Sequence, residues 1–325
     1  MPLYTCPRTV TGSDPMQPHS PNIAQSPATQ TNVNVHLIKG YEGLIISKDS
    51  ARLYFSLREG EEYYLRAMDT NTQEIIQTYS AGRGPVIKGL SPDSTLAFAM
   101  DTTTANVFVI NTIDHTVSEG TRIDTRPLTD MVVDSNGKST YLCADEYLIE
   151  LDTASQTVTR SLRFYNPEFS FYPGNLAINS SGSRVYVSCW NNGRQNSIEV
   201  IDTARWNVIA SIPVAGFHSN ITVSPDDKFL YSVNISDREM IMIDAASNKI
   251  IQTLQHETAT RSICCSPDGK QLFTVRINSE YVWVLDAKTL KETQKIDTGK
   301  TPLREVRMRP DNGDIYVLYG AWTQA

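Results

Sequence analysis

One turn signature is written seven times along this chain. It reads Ser47-Lys-Asp-Ser, Ser91-Pro-Asp-Ser, Asp134-Ser-Asn-Gly, Asn179-Ser-Ser-Gly, Ser224-Pro-Asp-Asp, Ser266-Pro-Asp-Gly and Arg309-Pro-Asp-Asn-Gly, with first residues spaced 44, 43, 45, 45, 42 and 43 apart. A second signal falls between these: Asp69-Thr, Asn111-Thr, Asp152-Thr, Asp202-Thr, Asp244-Ala and Asp286-Ala, at intervals of 42, 41, 50, 42 and 42. Both are turn chemistry. Pro fixes φ at the first central position, Asp or Asn bonds its own backbone, and Gly supplies a positive φ. A fixed period of this length marks a repeat architecture.

Between the turns lie short runs of alternating, β-branched and aromatic residues. Examples are Arg184-Val-Tyr-Val-Ser, Phe229-Leu-Tyr-Ser-Val, Ser197-Ile-Glu-Val-Ile and Tyr281-Val-Trp-Val-Leu. Such runs read as strands. One repeat is therefore strand A, first turn, strand B, loop, strand C, second turn, strand D. No segment of useful length has helical periodicity, which disfavours α/β folds. The expected fold is all-β: a seven-bladed β-propeller of four-stranded antiparallel blades. The seventh repeat has strands A and B only. Asn32-Val-Asn-Val-His-Leu-Ile-Lys-Gly matches the D-strand segment Ala210-Ser-Ile-Pro-Val-Ala-Gly. Residues 32–38 are thus expected to form the outer strand of blade seven and close the ring, which removes exposed edges. Residues 3–11 fill the missing C position, or the last blade has three strands; the expectation is three.

Residues 184–192, Val200-Ile-Asp-Thr, 210–216 and Val223-Ser-Pro-Asp-Asp resemble the YVTN (WD-repeat-like) β-propeller repeat. The resemblance spans roughly residues 31–325 and is strongest over 173–290. It implies a seven-bladed disc. It implies little about function, because that family includes binding modules, periplasmic proteins and enzymes.

Composition narrows the partners. Net charge is −7 with a pI near 5.3, which argues against nucleic acid, since phosphate binding needs clustered Lys and Arg. No run of 18 apolar residues exists, so no membrane partner is expected. Residues 1–30 are rich in Pro, Ser and Thr and read as a flexible tail before a propeller of 31–325. They lack a charged leader and an apolar core segment, so the expected location is cytoplasmic, with export by an unrecognised route as the alternative. Five cysteines without a spaced pattern argue against a disulfide framework, and the adjacent Cys264 and Cys265 read as two small buried hydrophobes in a reduced setting. Histidines are scattered and no phosphate-loop, nucleophile-elbow or zinc-ligand motif occurs, so no metal and no cofactor are expected.

Two features point to a site on the face carrying the B–C loops and D–A connections, here called the upper face. Blade four is lengthened there, at 163–173 and 190–197, and its Phe164, Tyr165, Phe169, Phe171, Tyr172 and Trp190 form an aromatic group, with Arg194 beside them. Loops that grow on one face of a rigid scaffold are where binding usually resides. The competing reading makes the aromatics local core. Second, aligning strand A on the first turn sets Glu42, Asp130, Asn175, His218, Asn220, Arg261, Arg304 and Glu305 around the axial mouth. Paired guanidinium groups suit a carboxylate or phosphate; the bland alternative is a structural charge network.

The expected function is recognition: a small anionic or carboxylate ligand, a peptide ligand or a protein partner's loop bound at the upper axial mouth. The alternative is a propeller enzyme of lactonase, isomerase or cyclase type. The fungal muconate-lactonizing family supplies the analogy, with His218 as acid/base, Arg261 and Arg304 as anion clamp, and Glu42 or Glu305 orienting His218.

Overall fold

A computed structural model of the chain describes residues 33–166, 169, 170, 172–191 and 195–320, with backbone alone for 165, 166, 169 and 170. The predicted tail and residues 3–11 lie outside the described residues. The described residues build an all-β propeller of seven blades. Blade one is Glu42–Ile46, Arg52–Glu59, Glu62–Asp69 and Ile75–Tyr79, antiparallel and in sequence order. Blades two to six repeat that order from their A strands Pro85–Leu90, Leu128–Val133, Tyr172–Ile178, His218–Val223 and Thr260–Cys265. A short hairpin, Tyr165–Asn166 with Phe169–Ser170, sits in the lengthened connection into blade four.

The two turn signals do what their chemistry dictates. In the A–B turns, Ser91 Oγ donates to Asp93 at 2.6 Å and accepts the Leu96 N–H at 2.9 Å. Ser224 and Ser266 repeat both contacts. In the C–D turns, Asp69 and Asp202 carboxylates accept backbone N–H groups two or three residues on. The following threonine then ties one turn to the other: Thr112 and Thr203 hydroxyls donate to the carbonyls of Ser94 and Gly182 at 2.7 and 2.8 Å. Blades five and six place buried Ala245 and Ala287 there instead.

The core lies between blades. One aromatic per blade stands at the same position of strand B: Tyr54, Phe98, Tyr141, Tyr186, Tyr231, Phe273 and Tyr316, all at most 2% exposed. The cluster holding Tyr186 and Val200 of blade four also holds Ile221, Leu230 and Ile241 of blade five. Each wedge is thus stabilised by its neighbour, as in any stacked repeat.

Closure follows the expected three-stranded arrangement, and only the direction of one pairing departs from the antiparallel pattern. Blade seven comprises Leu303–Met308, Ile315–Tyr319 and Val35–Lys39, in that order, so it has three strands. Val35–Lys39 is not displaced outward to a fourth position; it pairs directly with Ile315–Tyr319, and in parallel, from Val35 opposite Ile315 to Lys39 opposite Tyr319. The direction has a simple cause. The segment must climb as a D strand does to feed blade one at its upper end, and D strands run parallel to B. With no C strand between them, a parallel pair results. His36 stacks on Tyr316 at 4.7 Å, and the Tyr316 hydroxyl donates to Thr70 O of blade one at 3.0 Å. Deleting residues 33–39 should lower the thermal midpoint by about 10 °C or more, since each kcal/mol is worth about 2–4 °C at this scale. An unchanged midpoint in calorimetry would show that this strand does not close the ring.

Candidate functional site

The seven A strands surround an axial cavity of about 720 Å³. Each A strand carries a bulge near its upper end. The pairing with strand B skips Gly43, Lys88, Thr129, Gly174 with Asn175, Ser219, Arg261 and Arg304. A bulge takes a residue out of the ladder and re-aims side chains. Here it turns polar groups toward the axis. Backbone N–H groups near the bulges find acceptors on the preceding blade: Ile87 on Ser56 Oγ at 3.0 Å, Leu176 on Asp130 Oδ2 at 2.9 Å, Ile263 on Asn220 Oδ1 at 3.2 Å. Asp130 and Asn220 therefore have structural duties besides any ligand.

Glu42, Asp130, Asn175, Asn220, Arg261, Arg304 and Glu305 all line the cavity. The sequence reading missed two further lining cations. Lys88 lies 3.1 Å from Asp130 and 4.0 Å from Glu42. Burial opposes its charge, but Asp130, Glu42 and Glu305 outweigh it and raise its pKa. Arg307 meets Glu305 at 2.5 Å; burial raises the Glu305 pKa even so. These are ion pairs, and they neutralise the middle of the cavity.

The upper end differs. Arg304 Nε donates to Gly320 O at 2.7 Å. Burial, and then the neighbouring charge of Arg261, lower the Arg304 pKa to about 10 despite Glu42. Arg261 makes no ion pair and no side-chain hydrogen bond among the described residues. Two guanidinium groups therefore face one mouth in mutual repulsion, one of them uncompensated.

His218 is not brought to this mouth. It is 1% exposed and stands apart from the lining, with Nδ1 at 2.8 Å from Ser232 Oγ. Burial pushes its pKa down to about 4, against the Ala215 backbone and Asp237. The sequence position was right along the strand, but the bulge after it turns the ring into the blade. The aromatic group divides. Phe164 is core at 6% exposure, whereas Tyr172 and Trp190 are 38% and 37% exposed and face each other at 6.4 Å. The Tyr165 and Phe169 side chains, Phe171 and Arg194 lie outside the described residues. Phe217, which the sequence reading passed over, lines the cavity and meets Trp190 edge-on at 6.5 Å. Of the cysteines, Cys143, Cys189 and Cys264 are buried and Cys265 half-buried. Among the described residues no cluster of metal-ligating side chains occurs, and no helix is long and apolar enough to cross a membrane.

Comparisons agree on architecture. A family model described as the cytochrome D1 heme domain matches residues 191–310. The seven-bladed beta-propeller protein Rv1057 of Mycobacterium tuberculosis is 30% identical over 126 residues, covering 38% of this chain. The match spans 29% of that relative's length. Among solved structures, Kuenenia stuttgartiensis hydrazine synthase superposes with a TM-score of 0.74 at 15% identity, over 90% of this chain and 99% of that one. The Cps50 (Swd1) β-propeller domain of Myceliophteria thermophila gives 0.73 at 10% identity, over 87% and 98%. Both likenesses show the fold alone. The chain is a seven-bladed β-propeller.

Two stability measurements probe this geometry. Asp130→Ala removes the nearest counter-charge of half-buried Lys88 and the acceptor of the Leu176 N–H together, so urea denaturation should show a loss of about 1–3 kcal/mol; a variant as stable as the parent would remove the pair from the account. The second is pH dependence. The unfolded chain protonates its histidines near 6.5, whereas folded His218 and His256 resist until about pH 4. Their stabilisation is complete above 6.5 and is lost as pH falls from there toward 4, on the order of 3 kcal/mol per site. His218→Gln should flatten that fall, and an identical slope in the variant would contradict it.

Proposed function

We propose that this protein is a recognition propeller that binds a small anionic ligand, through a carboxylate, at the upper axial mouth. The carrying observation is Arg261, a guanidinium without a counter-charge among the described residues, placed beside an Arg304 whose own charge it disfavours. A planar anion between them removes the repulsion and matches the donor fork of either group. The neutralised pairs below, Lys88 with Asp130 and Arg307 with Glu305, give the anion no equal reason to go deeper.

The recognition reading is preferred to turnover because His218, the acid/base expected from the sequence, is buried with a pKa near 4 and is not among the residues that line the cavity. The partial match to a haem domain raises that cofactor as a candidate. The lining does not suit it. A haem iron takes an axial His, Met, Cys or Tyr; no described histidine lines the cavity, burial pushes the lining thiols Cys264 and Cys265 up to about 12, and Met131 and Met308 pack into the inter-blade clusters. Tyr41, at the upper end, already donates its hydroxyl to Pro85 O, and no step is assigned to a haem. The repeat pieces at 184–192, 200–203, 210–216 and 223–227 support assignment to the YVTN type. Acidic composition supports a small-molecule ligand over nucleic acid, and a cytoplasmic setting is part of the same proposal.

Calorimetry with sodium acetate, succinate and benzoate tests it. At least one should bind, and Arg261→Ala should weaken it by about 10–100-fold, the worth of a charge-assisted hydrogen bond. Binding to none of the three, or equal binding by the variant, would contradict the proposal.

A further inference from the structure

We infer that the ligand of this mouth is an aryl monocarboxylate, its ring laid against Phe217 and Trp190 and its carboxylate on Arg261. The inference rests on the anion reading above and adds the chemistry of the rest of the molecule.

The mouth has two unlike sides. Blades six and seven supply Arg261 and Arg304. On the blade-four and blade-five side, Phe217 reaches the cavity from the connection into blade five, with Trp190 edge-on to it at 6.5 Å and Tyr172 beyond Trp190 at 6.4 Å. This is a row of aromatic rings running outward from the axis, and its outer two members keep more than a third of their surface in water. Isolated exposed aromatics need no explanation, but a contiguous row leading into a cavity does.

The row is held in place. Asn234, fully buried, donates from Nδ2 to Ala215 O at 2.6 Å and to Asp237 Oδ2 at 2.9 Å. Its Oδ1 accepts the N–H groups of Ser236 and Asp237. The connection carrying Phe217 is therefore pinned two residues before the ring. Space is made for it as well: a Cβ at Gly174 would lie 2.9 Å from Phe217 Cε2 and 3.0 Å from Ser188 Oγ. Gly174 serves close approach here, not an unusual φ. A rigid aromatic surface at low entropic cost is what a ring-bearing ligand rewards.

Charge fixes the valence. Lys88 and Arg307 are each paired with a carboxylate, so Arg261, the lining guanidinium left uncompensated among the described residues, suits one negative charge rather than a polyphosphate. Acetate or orthophosphate would satisfy Arg261 and leave Phe217 and Trp190 in water. An aryl carboxylate answers both sides.

The test titrates the full chain with 1-naphthoate, benzoate, acetate, orthophosphate and neutral 1-naphthamide. Affinity is read by calorimetry and Trp190 contact by fluorescence, with Trp190→Phe as the assignment control. 1-Naphthoate should bind about 10-fold or more tighter than acetate, corresponding to about 1.4 kcal/mol, and should quench the parent but not Trp190→Phe. Phe217→Ala should weaken 1-naphthoate by about 10-fold and so abolish that preference; Phe217→Leu, which removes the ring and keeps apolar bulk, should reduce the preference if the alanine variant misfolds. If acetate or orthophosphate binds as tightly as 1-naphthoate, and both Phe217 variants behave as the parent, the aryl inference falls and the anion reading stands. If 1-naphthamide matches 1-naphthoate, or Arg261→Ala leaves every affinity unchanged, the anion reading falls with it.

Discussion

The bulge at the upper end of each A strand is the constraint from which the site follows. A regular ladder would bury alternate side chains of this strand within its own blade. Skipping a residue re-aims the chain so that polar groups face the axis, and exposes N–H groups that need acceptors. Ser56, Asp130 and Asn220 provide those acceptors from the preceding blade. The same local irregularity thus ties neighbouring blades together and makes their meeting place polar.

What stands around the axis is layered by charge compensation. Midway down, carboxylates and cations come in close pairs, and pairing is what lets such groups remain in a largely enclosed space. Above them, Arg261 has Arg304 for a neighbour and no described carboxylate in contact. A protein keeps like charges together at a cost. Under the proposed anion reading it prepares for a charge that arrives from outside, with Phe217 and Trp190 on the blade-five and blade-four side of the same mouth.

Much of this was legible in the sequence, and the parts that were not have physical reasons. Turn chemistry is local, so the periodic Ser-Pro-Asp and Asp-Thr signals located the blades and their strands. The A-strand alignment placed Glu42, Asp130, Asn175, Asn220, Arg261, Arg304 and Glu305 on the axis because their bulges keep nearly the same offset from the turn. Lys88 escaped because the blade-two bulge comes later along the strand, and a fixed offset selected Val86 and Ile87 instead. His218 was placed at the right height but the wrong face, since a bulge reverses facing and leaves no mark in composition. Phe217 carries no mark in the sequence pattern, because it lies outside the lengthened blade-four segments and its approach to the axis depends on space at Gly174, a tertiary fact. The parallel pairing of Val35–Lys39 also lay beyond pattern reading: its D-like sequence fixes its direction, while its neighbour depends on which strand is missing.

Crystals soaked in 4-bromobenzoate offer the most direct view of the central claim, because bromine marks the ring and difference density marks the carboxylate. The account predicts one anomalous peak at the upper mouth beside Phe217, with the carboxylate facing Arg261. A peak at the lower end among Val223, Pro225 and Met308, or an upper mouth left without the ligand at saturating concentration, would contradict it.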